Sequence, residues 1–174
     1  MLHRIAVSMR DRMIANGVMA PSVEIILYAL NIVGNTVSIF SISALVGLIT
    51  GELVRTLLLM MVFALIRILS GGYHLKSGMW CIVVSSALMS VLPHLRLTNT
   101  WTYVFTGIAL LAILIFAPAN YDKYARLSER YYPFLKLISA AIVAANLFIV
   151  SDVAAIAFIT QALLLPFKEG GEEE

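Results

Sequence analysis

The stretch Arg67-Ile-Leu-Ser-Gly-Gly-Tyr-His-Leu-Lys-Ser-Gly-Met-Trp-Cys81 holds the chain's only cysteine and places a histidine seven residues before it, just after a Gly-Gly pair. A thiol attacks a carbonyl as thiolate, and a neighbouring imidazole that accepts its proton supplies that form near neutral pH. His74 and Cys81 therefore read as the base and nucleophile of a cysteine peptidase or acyltransferase. On one straight helix the two would be separated by ~10.5 Å of rise, an awkward span for a hydrogen bond of about 3 Å. The backbone must turn between them. Gly71, Gly72 and Gly78 allow the conformations a break needs, and Ser77 can cap a helix starting there. Cys81 would then fall in the first turn or so of that helix, where the dipole favours an anion. The plain alternative is a small apolar cysteine in a membrane helix and a histidine that solvates the interface.

The elements that must position this pair are lipid-soluble in composition. The chain has 174 residues, of which 61% are hydrophobic and 13% charged, against roughly 25% charged in soluble domains. Apolar stretches of about 20 residues match a hydrocarbon core roughly 30 Å thick. Open sheets cannot span lipid, and the period-2 alternation of a barrel is missing. The expected class is all-α, a polytopic membrane helical bundle forming one peptidase domain over 1–167. Six spans are expected, at about 22–48, 52–70, 77–96, 99–117, 133–150 and 152–167. Four is the competing count, with the last two segments forming a re-entrant pair or 52–70 breaking before it crosses.

Residues 2–16 place Leu2, Ile5, Ala6, Met9 and Met13 at helical spacing with Arg4, Arg10, Asp11 and Arg12 elsewhere. This pattern predicts a short amphipathic helix at headgroup level, within residues 1–17. Asn16-Gly17 can end it, and Pro21-Ser22 can start the next helix. Charges mixed into the apolar residues at the start do not look like a cleavable signal peptide. The tail 168–174 is too polar to bury and reads as disordered. A net charge of +2 gives no argument for nucleic acid. One cysteine excludes an internal disulfide or a multi-cysteine zinc site. His3 and the methionine-rich faces suggest no metal, and no cofactor is expected.

Positive charge orients the bundle. With six spans and the N-terminus inside, Arg4, Arg10, Arg12, Arg67, Lys76, Lys123, Arg126, Arg130, Lys136 and Lys168 fall on the cytoplasmic side, against Arg55 and Arg96 outside. That bias is the one the positive-inside rule expects. It puts both termini and the His74–Cys81 segment at the cytoplasmic face, where a thiol stays reduced.

Arg67-x3-Gly71-Gly72-x-His74-x6-Cys81 closely resembles the signature of the AgrB family (accessory gene regulator protein B), bacterial membrane endopeptidases that mature quorum-sensing propeptides. Ala117-Pro118 and the basic loop to Lys136 resemble the family's Ala-Pro element and its charged cytoplasmic loop. The resemblance implies that Cys81 attacks a peptide bond near the C-terminus of a short amphipathic, AgrD-like propeptide, with His74 as base and then acid. An internal cysteine or serine of that propeptide would capture the thioester as a cyclic thiolactone or lactone. Arg67 matches the family arginine and could grip an acidic group of the propeptide, or simply snorkel at a span end. Gly71 and Gly72 match the family glycines and could offer amides to the oxyanion, or simply make a tight turn. No third catalytic side chain is assigned, although Ser70, Ser77 and Ser86 are near in sequence.

The first span carries a further signal. Glu24, Tyr28, Asn31, Asn35 and Ser38 are spaced 4, 3, 4 and 3 and so form one polar stripe. Polar groups facing lipid are costly, so the stripe should face protein or water. Glu24, Asn31 and Asn35 are candidates for one wall of the propeptide site, with interhelical hydrogen bonding as the alternative. His94, beside Pro93, reads as structural, and Asp122 to Arg130 as a solvated loop. Small bundles with polar stripes often pair, which points to a homodimer in the bilayer. A transporter with the Asn31/Asn35 stripe along its path is the competing function, and a structural partner of another membrane protein is a third.

Overall fold

The apolar stretches fold as helices in the computed structural model, which describes residues 2–73, 78–120 and 128–167. In chain order these are α1 (Leu2–Ala15), α2 (Val23–Ile49), α3 (Leu53–Ser70), α4 (Gly78–Val91), α5 (Asn99–Phe116), α6 (Tyr132–Ile149) and α7 (Asp152–Ala162). Single 3-10 turns, Leu92–His94 and Glu129–Tyr131, extend α4 and precede α6. Among the described residues there is no strand, only one isolated bridge between Gly71 and Ala119. The helix ends follow local chemistry. Asn16 bonds back to the Arg12 carbonyl at 2.7 Å and Gly17 takes φ 74°, closing α1. The Ser22 hydroxyl accepts from the Ile25 amide at 3.4 Å, capping α2.

Four helical stretches among the described residues are long and apolar enough to cross a membrane: α2, α3, α5 and the 21 residues Glu129–Ile149. The chain is a membrane protein. The third and sixth expected spans are shorter than the sequence suggested. The third is Gly78–His94, and the sixth is the 11 residues of α7, about 16 Å at ~1.5 Å per residue. The physical reason is visible in what surrounds α7. Val153, Ala155, Ile156, Ala157, Phe158, Gln161 and Ala162 are all buried, so the helix is enclosed by protein nearly all round. Its apolar composition serves the core, which α7 builds with α3, α5 and α6 through Ile66, Ala109, Ile113, Val143 and Phe158. A second cluster joins Leu59, Met89, Val153 and Ile156.

The two ends of the bundle differ in kind. At one end, Arg55 donates to Asp152 at 3.2 and 2.9 Å and to the carbonyls of Pro93 and Leu95 at 3.0 and 2.9 Å. Arg96 pairs with Glu52 at 2.6 Å and donates to the Pro93 carbonyl at 2.6 Å. The two arginines set apart by the charge pattern thus share one network that ties the starts of α3 and α7 to the end of α4. Nearby, buried Asn146 donates to Thr106 and to the Ser151 carbonyl and accepts from the Ser151 amide, closing the α6–α7 turn. The opposite end carries the Gly-Gly segment.

Arg55 bridges three elements, whereas Arg96 is half exposed. Arg55→Ala is expected to cost about 1–3 kcal/mol by stranding its partners, and Arg96→Ala about 1 kcal/mol or less. Thermal unfolding of the detergent-solubilised protein checks the order; equal losses would refute it.

Candidate active site

α3 ends at Ser70 and α4 begins at Gly78, so the helix does break inside the motif. His74 and Ser77 lie outside the described residues, and with them the distance from His74 to Cys81 and the expected Ser77 cap. Cys81 is the fourth residue of α4, half-buried and free of any disulfide. The start of α4 rests on α2: a Cβ at Gly78 would stand 3.2 Å from the Asn35 amide nitrogen. Gly78 is thus a close approach to Asn35, three residues before the thiol.

The descent from α3 is a strap, Gly71–Tyr73, whose three amides all donate to backbone carbonyls. The Gly71 amide donates to the Arg67 carbonyl at 3.0 Å and the Gly72 amide to the Ala119 carbonyl at 2.9 Å. The Ala119 amide returns to the Ser70 carbonyl at 2.9 Å, and the Tyr73 amide reaches the Leu164 carbonyl at 3.1 Å. The Tyr73 ring packs on Phe167 with centroids 6.1 Å apart, and Asn120 donates to the Phe167 carbonyl at 3.0 Å. Gly71 and Gly72 have φ of 67° and 124°, a region L side chains avoid. The Ala117-Pro118 element therefore sits directly beside the Gly-Gly pair, its peptide bond cis.

The amides of Gly71 and Gly72 both donate to backbone carbonyls. The Arg67 guanidinium spans from the strap to α7. Its Nη2 donates to the Tyr73 carbonyl, and its Nη1 to Gln161 Oε1 at 3.4 Å.

The α2 stripe divides. Asn35 and Ser38 are half-buried, Asn35 against α4, whereas Glu24, Tyr28 and Asn31 lie exposed. Ser70 is buried and donates to the Ile66 carbonyl at 2.8 Å. Buried Ser86 has an unpaired hydroxyl, and His94 is exposed on its 3-10 turn. Among the described residues no group of three or more His, Cys, Asp and Glu is placed to hold a metal.

Sequence reading missed Gln161. It is fully buried, and its Nε2 donates to Ser70 Oγ at 3.0 Å and to the Gly71 carbonyl at 2.6 Å. A lone carboxamide in the apolar segment 152–167 was the available signal, since polar groups in such segments are costly unless paired.

The family model for accessory gene regulator B matches residues 5–166. The chain belongs to the AgrB family. A curated relative, an AgrB-like protein of Halalkalibacterium halodurans, is 26% identical over 110 residues, covering 63% of this chain and 56% of the relative. The match thus takes in little more than half of that relative's length. No solved structure matches. Membership in the AgrB family supports a role in accessory gene regulator quorum sensing. It also agrees with the resemblance carried by Arg67, Gly71, Gly72, His74 and Cys81.

In this AgrB-family chain a Cβ on residue 72 would lie 2.6 Å from Arg67 Nη1 and 3.2 Å from Gln161 Nε2. Gly72→Ala should therefore displace the strap and destabilise the protein by about 1–3 kcal/mol. Gly34→Ala, which meets nothing within 4 Å, should be neutral or stabilise α2 by up to about 1 kcal/mol. Paired thermal melts check the contrast, and a Gly72→Ala protein as stable as Gly34→Ala would refute it.

Proposed function

We propose that this chain is a membrane-embedded cysteine endopeptidase and cyclase acting on a short amphipathic propeptide. The observation that carries the reading is the break itself. The helix stops at Ser70, a strap held by hydrogen bonds follows as far as Tyr73, and Cys81 falls in the first turn of α4. Such a break allows two residues seven apart in sequence to approach one another, which a continuous helix would not.

The chemistry then proceeds in two acyl transfers. His74 takes the thiol proton as Cys81 Sγ bonds to the scissile carbonyl carbon. The C–N bond breaks, and the proton passes from His74 to the leaving amine, releasing the C-terminal fragment. An internal thiol or hydroxyl of the propeptide attacks the thioester and gives up its proton, which restores the Cys81 thiol. The ring closes as a thiolactone or lactone. The thioester retains the acyl-transfer potential that hydrolysis would dissipate, so water must be kept from Sγ. A half-buried thiol among apolar helices suits that need.

Residues 1–167 act as one peptidase domain. The exposed Glu24 and Asn31 of α2 would line the bound propeptide, with Asn35 at the wall nearest α4. The transporter reading needs a continuous polar path along α2. Asn35 lies packed against the start of α4 while Asn31 is exposed, which favours the peptidase. By the charge pattern both termini and the site face the cytoplasm, and the functional unit is a homodimer in the cell membrane.

Cys81→Ala and Cys81→Ser should abolish propeptide cleavage without loss of membrane insertion, and His74→Ala should lower it about 10²–10⁴-fold. With a propeptide lacking its internal nucleophile, a hydroxylamine-labile adduct should accumulate on Cys81. Wild-type turnover by Cys81→Ser would remove the thioester route. For the topology, reporter fusions at residues 120–130 should read cytoplasmic; a periplasmic or external signal there would invert the proposed orientation.

A further inference from the structure

We infer that Gln161 is a positioning residue for the reaction, holding the strap that delivers His74; the inference rests on the peptidase reading above. The hydrogen bonds of its carboxamide go to the start of the strap and to the arginine that holds the strap's far end. Nε2 donates to the Gly71 carbonyl at 2.6 Å and to Ser70 Oγ at 3.0 Å, while Oε1 accepts from Arg67 Nη1 at 3.4 Å. Arg67 in turn donates to the Tyr73 carbonyl. The amide and the guanidinium together hold the carbonyls on either side of Gly72.

Gly72 lies so close above the pair that a Cβ would meet Arg67 at 2.6 Å and Gln161 at 3.2 Å. The strap's amides are held elsewhere, by Arg67, Ala119 and Leu164 carbonyls. Its course from Ser70 to Tyr73 is therefore fixed from both sides, and the next residue in the chain is His74.

Gln161 is distinguished from an ordinary buried polar residue by its address. It comes from α7, the helix most enclosed by protein, whose neighbours Phe158, Ala162 and Leu165 belong to the core. An anchor in that core gives the strap a reference that lipid-facing helices do not. Removing it leaves the part-buried Gly71 carbonyl without that donor and frees the strap to shift. A displacement of about 1 Å at a reacting group can cost on the order of 10²-fold in rate.

Cys81 is the only cysteine, so alkylation of the full-length protein by iodoacetamide reports on it alone and needs no knowledge of the propeptide. An unassisted thiol is only a few per cent thiolate at pH 7, so losing a coupled imidazole should slow alkylation on the order of tenfold. The test is a cycle of wild type, His74→Ala, Gln161→Met and the double variant in detergent micelles at pH 7. Gln161→Met, which keeps the shape and loses the hydrogen bonds, should slow alkylation nearly as much as His74→Ala. In the His74→Ala background it should add nothing, because Gln161 acts through the histidine.

A Gln161→Met protein alkylated at the wild-type rate would overturn the inference. So would an equal further loss in the double variant, which marks a general structural effect. If wild type and His74→Ala react alike, the dyad itself fails and takes this inference with it, an outcome readable before any Gln161 variant is made. Should Gln161→Met not accumulate in the membrane, Gln161→Glu decides by the same cycle. It retains the acceptor for Arg67 and loses the donor to Gly71, and it too should slow alkylation only while His74 is present.

Discussion

A backbone that leaves its helix inside an apolar bundle must find a protein partner for each amide and carbonyl, because lipid offers none. This chain meets that demand most heavily between Ser70 and Tyr73. Four carbonyls and amides of the strap pair with backbone from α3, the Ala117–Asn120 segment and the end of α7. Two further carbonyls are met by the side chains of Gln161 and Arg67. Glycine at 71 and 72 follows from this constraint, since the strap needs left-handed φ values and passes within contact distance of a guanidinium and a carboxamide. The break that any Cys81–His74 chemistry requires is thus stabilised by the side chains of Arg67 and Gln161.

The same constraint explains why a helix as short as α7 lies at the centre. A crossing helix facing lipid would need about 20 residues, but α7 faces protein and needs only enough length to link the two ends. Its first residue, Asp152, receives Arg55 at one end, and Gln161 receives the strap at the other. Between them lie small and branched residues, Ala154, Ala155, Ile156 and Ala157, that let α3 and α5 pack against it. α7 thereby couples the ion network at one end to the candidate site at the other through a single rigid element.

Much of this was legible in the residues. Apolar run length located all six hydrophobic helices, and the charge pattern singled out Arg55 and Arg96, which the fold collects into one network. The Gly-Gly pair marked the break. Two things were not legible. Composition cannot tell a helix buried in protein from one buried in lipid, since both are apolar throughout, and so the segment 152–167 read as a span. Nor can spacing along one segment reveal a partner 90 residues away. Gln161, which meets Arg67, and Ala119, which meets the Gly72 amide, are both distant in sequence.

That distance bears on what the resemblance contributes and what the structure adds. The motif from Arg67 to Cys81 holds the proposed nucleophile and base, but a thiol and an imidazole on a free chain between two helices would meet only rarely. Preorganisation requires that the geometry be held before the propeptide arrives. In this bundle the holding groups, Arg67 apart, belong to the Ala117–Asn120 segment after α5 and to α7 and its end, outside the motif. On the proposed function, the propeptide would therefore meet residues that are local in sequence, on a strap whose support is not. Substitutions that keep Arg67, Gly71, Gly72, His74 and Cys81 intact but disturb Ala119 or Gln161 would preserve the signature while loosening the strap that makes it usable.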